Sequence, residues 1–198
     1  MTDKPFSAAC ERNREPILAV LRQHFSDRCQ VLEIGSGTGQ HAVHFAAGLP
    51  HLVWQTSDRP EYHEGILQWL AEANLPNTRP PLLLDVNGLW PIAVFDAVFT
   101  ANTLHIMSGP EVERFFSVLP AVMSDNAVLV VYGPFNFRGA FSSESNAQFD
   151  ADLRARGAHM GIRDFEAVDA LACAAGLRLV QDHALPANNR CIVWQRVA

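Results

Sequence analysis

The chain has no apolar run approaching the ~20 residues that a membrane-spanning helix needs, and Met1 to Ala9 holds no apolar signal core. A cytoplasmic protein without a membrane partner is the expectation. There is no C-x-x-C pair. Cys10, Cys29, Cys173 and Cys191 are scattered, which reads as reduced thiols rather than a disulfide framework. Positive charge is short: 15 Lys and Arg stand against 21 Asp and Glu, a formal net charge of −6. Nucleic acid, whose phosphates call for a basic face, is therefore not an expected partner. H-E-x-x-H is absent. His41 and His44 could share a helix face, but no cysteine or acid stands beside them at ligand spacing, so no metal is expected. The G-x-S-x-G elbow of α/β-hydrolases is missing too, as are internal repeats and low-complexity segments. What remains is 198 residues with 48% hydrophobic and 18% charged side chains, enough for one globular α/β domain around a single core.

The chain is organised around Val31-Leu32-Glu33-Ile34-Gly35-Ser36-Gly37-Thr38-Gly39-Gln40-His41. An apolar run enters a glycine loop, and the loop enters a helical pattern at Ala42, Val43, Phe45 and Ala46: strand, tight turn, helix. Gly35 and Gly37 permit positive φ and let backbone lie against a ligand, and Gly39 lets the helix sit close to the strand. A dinucleotide fingerprint is G-x-G-x-x-G; here the third glycine comes one residue early, and Glu33 precedes the first by two. A carboxylate beside this loop disfavours a pyrophosphate and suits a ligand with an ammonium and a sulfonium group. E-x-G-x-G-x-G resembles motif I of the class I S-adenosylmethionine-dependent methyltransferases. The resemblance implies a doubly wound, Rossmann-like α/β fold: a mostly parallel seven-stranded sheet with an antiparallel last strand.

Residues 7–25 read as two helical pieces forming an N-terminal cover, the second starting near Asn13 to Glu15 because Pro16 belongs in a first turn. The polar junction Arg12-Asn13-Arg14-Glu15 is either a solvated helix start or a cap over the cofactor mouth with an arginine for a carboxylate. Strand two, His51 to Asp58, ends in an acid at the place where this fold receives ribose hydroxyls, about 20 residues past the loop. Strand three, Pro80 to Val86, brings Asp85 and Val86 to the rim. The resemblance implies an adenine contact there, and an Asx turn before Asn87-Gly88 is the alternative. Strand four runs from Phe95 to Asn102; the resemblance implies a structural role for Asp96 at its base and a turn at Asn102 that passes the methyl group. His105 follows, either a general base or a packed histidine. A helix from Glu111 to Met123 precedes strand five, Ala127 to Tyr132. The irregular stretch Gly133 to Asn146, with Phe135, Phe137 and Phe141, reads as a substrate wall or lid. A helix over Gln148 to Arg156 is followed by one capped by Asp164 and ended by Gly176, then strands Leu177 to His183 and Cys191 to Val197.

The peptides Arg12-Asn13-Arg14-Glu15-Pro16-Ile17, Tyr132-Gly133-Pro134-Phe135-Asn136, Ser143-Glu144-Ser145-Asn146, Met160-Gly161-Ile162-Arg163-Asp164 and Pro186-Ala187-Asn188-Asn189 are similar to those of the domain-of-unknown-function 938 family, which includes methyltransferase-like protein 26. The resemblance covers nearly the whole chain and implies one methyltransferase domain over residues 1–198. It favours functional roles for Arg14, Tyr132, Asn136, Arg163 and Asn189. The resulting expectation is methyl transfer to a small, carboxylate-bearing molecule. His105 and Tyr132 would be catalytic. Arg14, Glu33, Gly35, Gly37, Gly39, Asp58, Asp85, Val86 and Asn102 would hold S-adenosylmethionine. Asn13, Phe135, Asn136, Arg163, Asn188 and Asn189 would hold the acceptor. The alternatives are a non-catalytic cofactor-binding module and a nicotinamide-dependent oxidoreductase.

Overall fold

A computed structural model describes residues 4–197; Met1 to Asp3 and Ala198, part of the expected 1–198 domain, lie outside the described residues. In chain order the elements are α1 (Ala8–His24), β1 (Gln30–Ile34), α2 (Gln40–Gly48), β2 (Val53–Asp58), α3 (Pro60–Ala73), β3 (Thr78–Leu83), β4 (Phe95–Ala101), α4 (Gly109–Val118), β5 (Met123–Asn136), α5 (Glu144–Arg156), β6 (Arg163–Asp164), α6 (Phe165–Ala174), β7 (Leu177–Leu185) and β8 (Asn189–Arg196). A short 3₁₀ turn, Leu119–Val122, links α4 to β5. The helix expected as far as Met123 thus tightens and stops early, with Pro120 inside the turn.

The sheet runs β3-β2-β1-β4-β5-β8-β7. β1 pairs in parallel with β2 and β4, and β8 runs antiparallel to both β5 and β7. The strand order reverses at β1 and β4, and open sheets of this kind bind ligands in the crevice beyond the carboxyl ends of the strands at that switch point. Side chains alternate across the pleat. Leu32, Ile34, Val98, Leu129 and Val131 join Phe115, Phe116 and Trp194 in one core. Val31, Ala97, Phe99, Val128 and Val130 join Ile17, Phe25, Phe45 and Trp54 in the other. No helix of the described residues is long and apolar enough to cross a membrane.

Several local readings change. The N-terminal cover is one helix rather than two: Ser7 Oγ caps it by accepting from the Cys10 N–H at 3.4 Å, and Pro16 lies inside it. Burial of Ile17, Leu18, Val20 and Leu21 offsets the hydrogen bond that proline cannot make. β5 continues to Asn136. Its extension pairs with β8 from Tyr132↔Cys191 to Pro134↔Asn189, and with β6 at Phe135↔Arg163. Two-residue β6 is an eighth strand where seven were expected. The long irregular stretch shrinks accordingly: Phe137 and Ala140 close a turn by exchanging N–H···O bonds of 3.0 Å, and Ser143 caps α5. Asp164 precedes α6 but caps nothing there; its Oδ2 accepts the Gly139 N–H at 2.7 Å and ties the turn down. Asp96 receives the N–H groups of Cys29 and Gln30 at 2.7 Å each, the structural role expected of it.

Candidate functional site

Above β1 the loop bends through Gly35, Gly37 and Gly39, all with positive φ (75°, 57° and 89°). The N–H groups of Gly35 and Ser36 both donate to the Ser57 carbonyl, at 3.1 and 3.0 Å, so the loop rests on the end of β2. A Cβ at Gly39 would stand 3.0 Å from Ile66 Cα. That glycine therefore admits α3, not the closer helix–strand approach expected of it. Among the described residues a Cβ at Gly37 would meet nothing within 4 Å: the loop's centre is open on its outer side.

Two acids hold this shape. Glu33 is 2% exposed, and its Oε2 accepts from Ser36 Oγ at 2.9 Å and Trp54 Nε1 at 3.0 Å. Burial lifts its pKa to about 7, against the pull of those two hydrogen bonds. Expected to face a ligand's ammonium, Glu33 instead lies under the loop and braces it. Asp58 accepts the Gly37 N–H on Oδ2 at 2.7 Å and the Arg59 N–H on Oδ1 at 2.8 Å. Its carboxyl is raised by burial, with the two backbone donors opposing. The acid that the sequence placed near the loop thus binds the loop's open glycine directly, and a carboxylate retains acceptor sites beyond two hydrogen bonds.

Along the rim, Asp85 forms the alternative Asx turn: Oδ1 accepts the Asn87 N–H at 2.8 Å and the carbonyl accepts the Gly88 N–H at 2.9 Å. The Val86 side chain packs in the core. Asn102 takes a left-handed φ of 58° and donates its N–H to the Tyr132 carbonyl at 2.8 Å. His105 is buried in the following turn with its ring 5.4 Å from Phe149, edge to face. Burial first, and the charge of Arg163 second, lower its pKa to about 4, leaving a neutral imidazole at neutral pH.

A polar chain that the sequence did not reveal runs under the cover helix. Asn13 Oδ1 lies 2.7 Å from His41 Nε2, and His41 Nδ1 faces Cys10 Sγ at 4.0 Å. The His41 ring stacks on Phe45 at 5.0 Å, and burial lowers its pKa to about 4. Among the described residues no group of three or more His, Cys, Asp or Glu could hold a metal ion.

A family model described as "Protein of unknown function (DUF938)" matches residues 4–196. The chain belongs to this family. The fold also matches solved methyltransferase structures. Mitomycin 7-O-methyltransferase superposes with a TM-score of 0.85 at 19% identity, over 96% of this chain and 55% of that one. An O-methyltransferase family protein from Burkholderia thailandensis gives 0.82 at 14%, over 96% and 58%. Human N-acetylserotonin methyltransferase, solved in complex with S-adenosylmethionine, gives 0.81 at 14%, over 96% and 53%. The DUF938 chain thus spans little more than half the length of these structures.

The peptides that carry the DUF938 resemblance converge. Asn146 Nδ2 donates to Ser142 Oγ at 2.8 Å and to the Asn188 carbonyl at 3.3 Å, and Asn188 Nδ2 donates to Ser145 Oγ at 3.1 Å. Asn189, expected to hold the acceptor, instead donates from Nδ2 to the Pro186 and Ala187 carbonyls, ordinary turn chemistry. Phe135, expected in the substrate wall, is 2% exposed in the core, and Phe137 packs on Phe165 at 5.5 Å between ring centroids. Of the three phenylalanines only Phe141 is among the exposed large apolar residues.

Arg163, expected to grip a carboxylate, spends its fork on backbone. Nε donates to the Leu104 carbonyl at 3.0 Å, and Nη2 donates to His159 O at 2.9 Å and to the Met107 carbonyl. It ties β6 to the turn that holds His105. Arg190 forms a two-pronged pair with Asp182, at 2.7 and 2.6 Å, and Arg14 lies 2.7 Å from Glu11 Oε2. Asn136 differs: its Oδ1 is buried without a hydrogen-bond partner among the described residues, the condition that most calls for a ligand or an ordered water.

Proposed function

We propose that this protein binds S-adenosylmethionine and catalyses methyl transfer to a small molecule carrying a carboxylate. The observation that carries the reading is the open glycine: Gly37, with left-handed backbone and, among the described residues, no neighbour over its face, held from the side by Asp58. Bound there, S-adenosylmethionine would supply an electrophilic methyl group to an acceptor heteroatom. The glycine loop would lie against the cofactor, and Asp58 would accept from the ribose hydroxyls. The Asp85–Val86 rim would border adenine, and Asn102 would pass beside the methyl group. Arg14 keeps guanidinium donors beyond the one used by Glu11, and these suit the cofactor's carboxylate. His105, neutral above a pH of about 4, is a proton acceptor for a hydroxyl, amine or thiol that must lose its proton. Asn136 Oδ1 is an acceptor for an N–H or O–H of the substrate, and alignment of that substrate is the main task of the protein. The cysteines are unpaired, which suits the cytoplasm.

Tryptophan fluorescence tests the first half. Titration with S-adenosylmethionine should saturate, while reduced nicotinamide cofactor should leave the signal unchanged; the reverse would sink the reading in favour of an oxidoreductase. Incubation with methyl-labelled cofactor and a panel of small carboxylates, each beside its primary amide, tests the second. Label should pass to carboxylates only. Saturable binding with no transfer to any metabolite extract would make the protein a binding module.

A further inference from the structure

A dinucleotide loop carries its third glycine where this chain has Gln40. Gln40 opens α2 and is 3% exposed. Its side-chain amide offers two donors and two acceptor sites, and all four are used. Oε1 accepts the Thr38 hydroxyl of the glycine loop at 3.1 Å, and the Ser7 N–H just ahead of α1. Nε2 donates to Glu11 Oε1, one turn into α1, at 3.0 Å and to the Ser7 carbonyl at 3.4 Å. Parting these segments would strand a buried amide without partners, so the loop and the chain ahead of α1 hold one another in place.

That chain, Lys4 to Ser7, lies on α3 as a strap. The Pro5 carbonyl accepts the Trp69 Nε1–H at 2.8 Å. Lys4 Nζ stands 3.6 Å from the Trp69 ring centre and pairs with Glu72. Pro5 sits over Gly65, where a Cβ would come within 2.4 Å of Pro5 Cγ. Glycine inside a helix is a poorer helix former than alanine, and here it makes room for the strap. Between strap, loop and α3 is a cleft of about 300 Å³, its lining including Pro5, Gly37, Thr38, Glu61, Tyr62 and Gly65. The open glycine of the loop and the proline of the strap thus border the same space.

We propose that the Lys4–Ser7 strap is a wall of the cofactor site, and that Gln40 is the positioning residue that joins it to the glycine loop. The cofactor binds best with the strap seated, and by reciprocity bound cofactor holds the strap down. This rests on the methyltransferase reading for the cofactor, but not for the coupling of strap and loop.

Hydrogen exchange at the Ser7 amide, which donates to Gln40, reports the strap. Exchange at the Gly37 and Gly39 amides, which donate to Asp58 and to the Ser36 carbonyl, reports the loop. Gly65→Ala pushes Pro5 off α3 while favouring the helix. Trp69→Phe removes the bond to the Pro5 carbonyl but keeps an aromatic ring under Lys4. Gln40→Met keeps the length of the side chain and removes its four bonds; Thr38→Val, which cuts the loop's own bond to Gln40, serves if that variant fails to fold. Each should speed exchange at Ser7, Gly37 and Gly39. Calorimetry with S-adenosylhomocysteine should show affinity weakened in each by roughly 5–150-fold, the range of coupling between linked sites. In the wild type the same ligand should slow exchange at Ser7. A strap that served stability alone would lower the melting temperature and leave this affinity as it is. Wild-type affinity in Gly65→Ala and Trp69→Phe, with Ser7 exchanging faster, therefore overturns the wall, and unchanged Ser7 exchange in both overturns the seating of the strap. Unchanged loop exchange in Gln40→Met, or in Thr38→Val in its place, overturns positioning by Gln40. A wild type that binds no S-adenosylhomocysteine rejects the methyltransferase reading, and the coupling of strap and loop is then decided by exchange at Gly37 and Gly39 in Gly65→Ala.

Discussion

An added Cβ would crowd Ile66 Cα at Gly39 and nothing at Gly37, so one motif contains residues that answer to different constraints. Gly39→Val should lower the melting temperature, by roughly 1–3 kcal/mol of overpacking together with the strain of a left-handed φ. Thermal unfolding followed by circular dichroism checks it; an unchanged midpoint would mean that α3 does not pack there. Asp58→Ala should weaken cofactor binding by about 1.5–3 kcal/mol, the worth of hydrogen bonds to a charged group. A ligand without ribose hydroxyls should lose little more in the mutant, whereas equal discrimination by mutant and wild type would leave Asp58 only its backbone bonds. The placement of Gly37 in a tight turn after β1 and of Asp58 at the tip of β2 was legible because both signals are local. The partners of His41 and Arg163 were not, because spacing along the chain says nothing about which carbonyl or amide a side chain meets across the fold.

Elements carry the next set of constraints. α1 continues through Pro16 because its buried stripe outweighs one missing hydrogen bond, a balance that local propensity misjudges. β5 runs past Tyr132 because β8 and β6 supply partners for Gly133 to Asn136, and those partners come from far along the chain, so the segment reads as a loop on its own. The strands and the helices between them were legible from the alternation of apolar runs and turn residues, whereas the antiparallel last strand followed from the resemblance to class I methyltransferases. β6, two residues long, leaves no periodic signal. Its Arg163 is the clearest shift from expectation. Arg163→Lys keeps the charge but cannot bond three carbonyls in one plane, so the tie between β6 and the turn around His105 weakens. The expected result is a lower melting temperature, by about 1.5–3 kcal/mol, with cofactor affinity unchanged. A stable variant that lost turnover alone would restore Arg163 to the substrate.

Across the whole molecule, buried titratable groups set how stability follows pH. His41 and His105 have folded pKa values of about 4 against an ordinary 6.5. Between those values the unfolded chain takes up protons that the folded chain refuses, so the stability they allow above pH 6.5 is lost as pH falls toward 4, by up to about 3 kcal/mol each. Glu33 runs the other way: raised from 4.5 to about 7, it stabilises fully below 4.5 and loses that contribution as pH rises through 7. Urea midpoints should therefore fall between pH 6.5 and 5 in the wild type, and flatten in His105→Gln, where one histidine and Glu33 oppose each other. A wild-type midpoint that rises over this range would show the histidines to be solvated. The glycine loop carries the central claim, and calorimetric titration of S-adenosylhomocysteine into the wild type and Gly37→Val tests it most directly. The wild type should bind one equivalent, and Gly37→Val should bind none while remaining folded, its melting temperature lowered only by the strain of a left-handed valine, about 1–3 kcal/mol. Equal affinity in the two proteins, or no heat in the wild type, would contradict the assignment of the glycine loop to the cofactor.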